Sequence, residues 1–161
     1  MGLRDAISAV PAKPIIAIAA GLTVFAAAWH GWTLHKICSQ RSALTSALHS
    51  WAGDAMNSGP AGARLDKATG FDWNQVRILQ AVKKPSPAPN CPFGWHLSNR
   101  EREAMARTGN LTLVGFAIEG NVIEIVDFDA TKARFDVGKD PISRDGAIFR
   151  AQEGVLALVP R

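Results

Sequence analysis

Leu111-Thr112-Leu113-Val114-Gly115-Phe116-Ala117-Ile118-Glu119-Gly120-Asn121-Val122-Ile123-Glu124-Ile125-Val126-Asp127-Phe128 is the stretch that decides the fold. Leu111 to Ile118 is apolar on both faces, the mark of a central strand. Gly120-Asn121 is a turn signal, and Val122–Phe128 follows it as a second strand, so the two form a hairpin. Tight turns between consecutive strands imply antiparallel pairing.

Working outward, Asp140-Pro141 and Asp145-Gly146 punctuate a loop after the hairpin. Ala147–Gln152 and Val155–Val159 flank Glu153-Gly154 and read as a second, shorter hairpin. On the other side, Ser98 and Glu101 make a capping box, and Gly109 closes the short helix it opens. Before that helix, Pro85, Pro87 and Pro89 stiffen an extended loop from Lys83 to Asn90. Gln75–Val82 reads as a strand with Val76, Ile78 and Val82 on one face. The expectation is an α+β domain over residues 71–161, a small antiparallel sheet of about five strands with a short helix.

The N-terminal part reads differently. Between Lys13 and Lys36 no residue carries a formal charge, and Pro14–Leu34 is long enough for a helix to cross about 30 Å of hydrocarbon. Trp29 and Trp32 fall at its far end, where indole rings mark a membrane interface. The expected organisation is a cytoplasmic leader (1–13), a transmembrane helix (14–35), an amphipathic stalk helix (36–57) and a linker (58–70) before the domain. Ile37, Leu44, Leu48 and Trp51 form the stalk's apolar stripe, to be buried in the domain's own core or against a partner helix. This predicts single-pass anchoring in a bacterial inner membrane with the C-terminal domain in the periplasm. Ala26-Ala27-Ala28 offers an alternative, signal cleavage near Ala28 and release to the periplasm. Cys38 and Cys91 are an even pair in a context that suits oxidation, a possible disulfide whose alternative is two free thiols.

Charge excludes one class. The chain is +4 overall, but residues 37–161 hold 15 Lys and Arg against 13 Asp and Glu, a formal +2. No basic stripe with interleaved aromatics runs through them, so nucleic acid is not an expected partner.

Candidate chemistry is sparse. His30 and His35 are five apart on a helix and do not converge, and His35 with Cys38 gives only two ligands, so no metal site or cofactor is assigned. Asp127 and Asp129 share one side of a strand end and suit a hard cation, although such pairs are more often a solvated edge. His96 with Ser98, or Cys91 with His96, places a nucleophile type near a base, but no nucleophile motif surrounds either serine or thiol. No catalytic residue is assigned. The aromatic cluster Phe71, Trp73, Phe93 and Trp95 is the candidate partner-binding surface, because exposed Trp and Phe concentrate at interface hot spots. Its structural alternative is fastening the first strand and the Pro-rich loop onto the sheet.

Phe71-Asp72-Trp73, the Gly94-Trp95 loop, the apolar hairpin Leu111 to Phe128 and Ala147-Ile148-Phe149 together resemble a loose group of small bacterial envelope proteins and lipoproteins. The resemblance covers residues 71–152 and implies location and fold rather than an activity. The chain departs from that group in lacking a lipobox before Cys38. The functional expectation is a membrane-anchored, non-enzymatic envelope protein whose domain binds another envelope protein, as an accessory subunit or an immunity-type protein. Its partners are then the lipid bilayer and that protein, with the oligomeric state open. The alternative is an envelope hydrolase or metal-dependent enzyme using His96 and nearby acids.

Overall fold

The computed structural model describes residues 12–88, 91 and 97–160, without the side chains of 12–22 and 24. Its elements are α1 (Ala12–Asn57), β1 (Ala63–Arg64), β2 (Gln75–Leu79), α2 (Asn99–Thr108), β3 (Leu111–Ile118), β4 (Asn121–Asp129), β5 (Phe135–Asp136), β6 (Ile142–Ser143), β7 (Ile148–Gln152) and β8 (Val155–Leu158). Contacts divide the chain into two units, Met1–Lys36 and Ile37–Arg161.

In the first unit, Phe25, Trp29 and Trp32 of α1 are exposed, and the Thr33 hydroxyl donates to the Trp29 carbonyl. No helix among the described residues is long and apolar enough to cross a membrane. That corrects the expected transmembrane helix at 14–35 and the single-pass inner-membrane placement drawn from it. Thr23, His30, Thr33 and His35 place polar side chains within this stretch of α1.

The second unit is α+β with two four-stranded sheets, ordered β1-β7-β8-β5 and β4-β3-β2-β6. The long hairpin forms, with its turn on Glu119-Gly120 rather than the expected Gly120-Asn121. Glu119 and Gly120 take φ of 50° and 82° at its turn, a left-handed pair that matches strand twist. The shorter hairpin repeats this with Glu153 and Gly154 at 51° and 81°. The single antiparallel sheet of about five strands is corrected to eight strands in two sheets, one pair of which, β5 and β8, is parallel. β1, β5 and β6 are two residues long, too short to carry an alternation that sequence can reveal.

The C-terminal half of α1 supplies Leu48, Trp51, Ala52 and Ala55 to the core, where they meet Phe116 and Phe128 of one sheet and Phe149 and Leu156 of the other. Trp51 packs edge-on against Phe149 with ring centroids 5.4 Å apart. The stalk stripe is thus core at Leu48 and Trp51, while Ile37 is 38 % exposed. Residues 58–70, expected as a linker, contribute β1, which pairs with β7, and the buried Leu65. The capping box forms fully: the Ser98 N–H donates to the Glu101 carboxylate, and the Glu101 N–H to the Ser98 hydroxyl. Gly109 closes α2 in the left-handed region at φ 73°.

Candidate functional site

The aromatic candidates come first. Trp73 is 2 % exposed, and its indole N–H donates to the Thr69 hydroxyl at 2.8 Å. Phe71 and Trp73 both pack edge-on against Phe116, each with centroids 5.3 Å away. Trp73 is therefore a core residue and Phe71 a half-buried one. Phe93, Trp95 and His96 lie outside the described residues.

The carboxylate pair splits. Asp129 caps its own turn, accepting from the Thr131 N–H and hydroxyl at 2.9 and 2.8 Å. Asp127 is fully buried between two arginines. Its Oδ2 lies 2.8 Å from Arg102 Nε, an ion pair whose N–H points off the hydrogen-bond line, and 3.3 Å from Arg41 Nη2. The Ser86 hydroxyl donates to Oδ2 at 2.8 Å and the Ser86 N–H to Oδ1 at 3.1 Å. Arg102 also donates to the Ser86 carbonyl and hydroxyl, and Arg41 reaches Glu124 at 3.5 Å. Two cations and two anions balance, so the cluster's formal charge is neutralised by the chain itself. It joins α1, the Pro-rich loop, α2 and β4.

A second tie lies one helical turn away. Cys38 and Cys91 form a disulfide with Cα atoms 5.7 Å apart, which binds the end of the same loop to α1. Cys91 is consequently no thiol nucleophile, and the Ser98 side chain is engaged with Glu101.

What remains open to solvent is the outer face of the β2–β3–β4 sheet. Antiparallel register puts directly opposed residues on one face. Three rows result: Leu79, Leu113 and Asp127; Arg77, Gly115 and Ile125; Gln75, Ala117 and Val122. In the second and third rows the central residue is small and its neighbours on both sides are larger. The sheet therefore carries a trough along β3, a cleft of about 280 Å³ with Pro141 at its β6 side. Leu79 and Val122 on its walls are 41 % and 62 % exposed. At the far end stands the row of Leu113 and Asp127, the latter tied to α2 through Arg102.

One irregularity makes the β4 wall. Val122 and Ile125 are three apart, a spacing that normally puts strand residues on opposite faces. The register shifts so that Glu124 pairs with Phe116 and Val122 with Ala117, leaving Ile123 as the extra residue of a bulge. That slip brings Val122 and Ile125 together over the trough. No periodicity count on the sequence exposes it.

Arg77 sits in the middle row, exposed, and no ion pair or side-chain hydrogen bond engages it among the described residues. A larger, shallower hollow lies beside α1 and β4, lined by Ile37, Leu44, Phe71 and Ile123. Its charged residues, Arg41 and Glu124, are already paired with each other. Of these two hollows, the trough is the one that offers both apolar walls and an unengaged charge.

No family model, curated protein or solved structure matches this chain. The functional reading rests on its own geometry.

Proposed function

We propose that the chain is a binding module that takes up a segment of another protein in the trough along β3. The observation that carries this reading is the trough itself, an exposed apolar face whose middle strand is kept small at Gly115 and Ala117. Exposed apolar walls around a concave floor suit a protein contact. The trough is open along its length, whereas small-molecule sites enclose most of their ligand. That favours a polypeptide over a metabolite.

Photo-crosslinking in the producing cell tests it. A benzophenone side chain at position 79 or 122, both trough walls, should give protein adducts that the same group at Gln152 on β7 does not. Gly115→Leu should suppress them, because it fills the floor. A Cβ at Gly115 meets only the Arg77 carbonyl, at 3.9 Å, an ordinary contact, so the backbone there admits a side chain. Identical adducts from all three positions, or adducts indifferent to Gly115→Leu, refute the reading.

A further inference from the structure

We propose that the segment bound in the trough is acidic as well as apolar, and that Arg77 reads its carboxylate. This rests on the trough being a binding site and adds the chemistry of what it binds.

The middle row is the argument. Arg77, Gly115 and Ile125 lie abreast on β2, β3 and β4. Neighbouring strands are about 4.8 Å apart, so Arg77 and Ile125 face each other across roughly 10 Å. One row of side chains from an incoming segment fits between them. Gly115 removes the side chain that would otherwise stand there, and the segment can approach the sheet closely. Such a segment lays apolar groups against Leu79, Val122 and Ile125, and its flank comes within reach of the Arg77 guanidinium.

Covering the trough strips water from that guanidinium. A cation desolvated without a partner opposes binding, whereas one that meets a carboxylate gains a charge-assisted, two-pronged pair. The wall therefore selects by sign. It penalises a basic flank, tolerates a neutral one and favours an acidic one. Gln75, one row along on the same strand, adds an amide that donates or accepts and leaves the sign of the preference to Arg77. No ion pair among the described residues engages Arg77, whereas Asp72 and Glu124 are engaged with Arg144 and Arg41.

A random library of displayed 12-residue peptides, panned against the full-length oxidised chain, tests the proposal. Clones are sorted by whether Gly115→Leu abolishes their binding. The trough-dependent clones should be enriched in Asp and Glu beside apolar residues. Arg77→Gln should weaken them roughly tenfold, the worth of one charge-assisted pair at a partly desolvated site. Arg77→Glu should invert the enrichment towards Lys and Arg. Trough-dependent clones without acidic enrichment, or with the same enrichment on Arg77→Glu, overturn the charge reading and leave the trough as a binding site. If no clone depends on Gly115, or if decanoate binds there and no peptide does, the binding-module reading falls with it. Circular dichroism and the urea midpoint of each variant confirm that the fold is unchanged.

Discussion

Asp127→Asn should destabilise the Ile37–Arg161 unit by about 3 kcal/mol. The substitution keeps shape and volume and leaves an amide oxygen able to accept the Ser86 N–H. What it removes is the negative charge facing Arg41 and Arg102, which lie 3.3 and 2.8 Å from Oδ2. The two arginines lose unequally. Arg41 is 13 % exposed and keeps Glu124 at 3.5 Å. Arg102 is 3 % exposed and is left with neutral acceptors, Ser86 and Asn99. Stranding a buried charge typically costs about 3–5 kcal/mol, and the surviving Arg41 pair sets the lower end of that range. Against a total stability of about 5–15 kcal/mol this is a large fraction. At a urea slope of about 2 kcal/mol/M the midpoint falls by about 1.5 M. Equilibrium urea unfolding of the oxidised protein, followed by far-ultraviolet circular dichroism and tryptophan fluorescence, measures it. Asp129→Asn is the control, since its carboxylate caps an exposed turn through Thr131, and it should cost less than about 1 kcal/mol. Adding Arg102→Met to Asp127→Asn should recover part of the loss, because the stranded charge is then gone. A loss no larger than that of the control, or no recovery with methionine, refutes the view that electrostatic satisfaction holds this corner.

Cys38→Ser with Cys91→Ser opens a link between residues 53 apart, for which loop-entropy arithmetic gives a loss of about 4 kcal/mol. Because Ser86 and Cys91 tether the same loop, combining this with Asp127→Asn should cost less than the sum of the two. Full additivity in a double-mutant cycle counts against a shared tether. His49 gives a pH signature: burial outweighs the attraction of Asp129 and, with Lys132, holds its pKa below the ordinary value. Its Nε2 accepts the Asp129 N–H at 3.3 Å, which requires the neutral ring. The unfolded chain therefore takes up a proton that the folded one refuses, and stability declines as pH falls from about 6.5 towards the folded pKa. In His49→Gln this component of the slope should vanish; an unchanged slope between pH 7 and 5 means that another group carries it.

The readable parts of this chain are those governed by neighbours in sequence. The capping box of α2 and the Glu153-Gly154 turn form between the expected residues through local hydrogen bonds, while the long hairpin turns one residue early, on Glu119-Gly120 with Asn121 already in β4. The division into two sheets was not readable, since β1, β5 and β6 owe their existence to partners far along the chain, such as Phe149 for Ala63. The apparent stalk shows the same limit. Its stripe was visible at Leu48 and Trp51, but only the structure shows two sheets converging on it. Asp127 looked like half of a carboxylate pair because Asp129 is two residues away. Its true partners, Arg41 and Arg102, lie on two helices that only the folded chain brings together. Phe71 and Trp73 were conspicuous as large aromatics, and size marks burial as readily as recognition.

The trough went unseen because what defines it is the absence of side chains. Glycine in the interior of a strand is unfavourable by about 0.5–1 kcal/mol relative to alanine, and usually has a reason in backbone geometry or crowding. Neither applies at Gly115. Its φ is not among the positive values, which fall at Gly59, Gly62, Gly109, Gly120 and Gly154. Nor is it crowded: an added Cβ meets one carbonyl oxygen at ordinary contact distance. Gly62 shows what crowding looks like, with Val159 and the Phe149 carbonyl within 3.0 Å of the same construction. A valine at position 115 would suit the strand and cover the apolar walls. The chain instead leaves the middle of its longest hairpin bare beside an unengaged arginine, and the bulge at Ile123 turns Val122 towards the same space. The bare strand centre and the bulge thus open the same surface, which is the arrangement the proposed binding site needs.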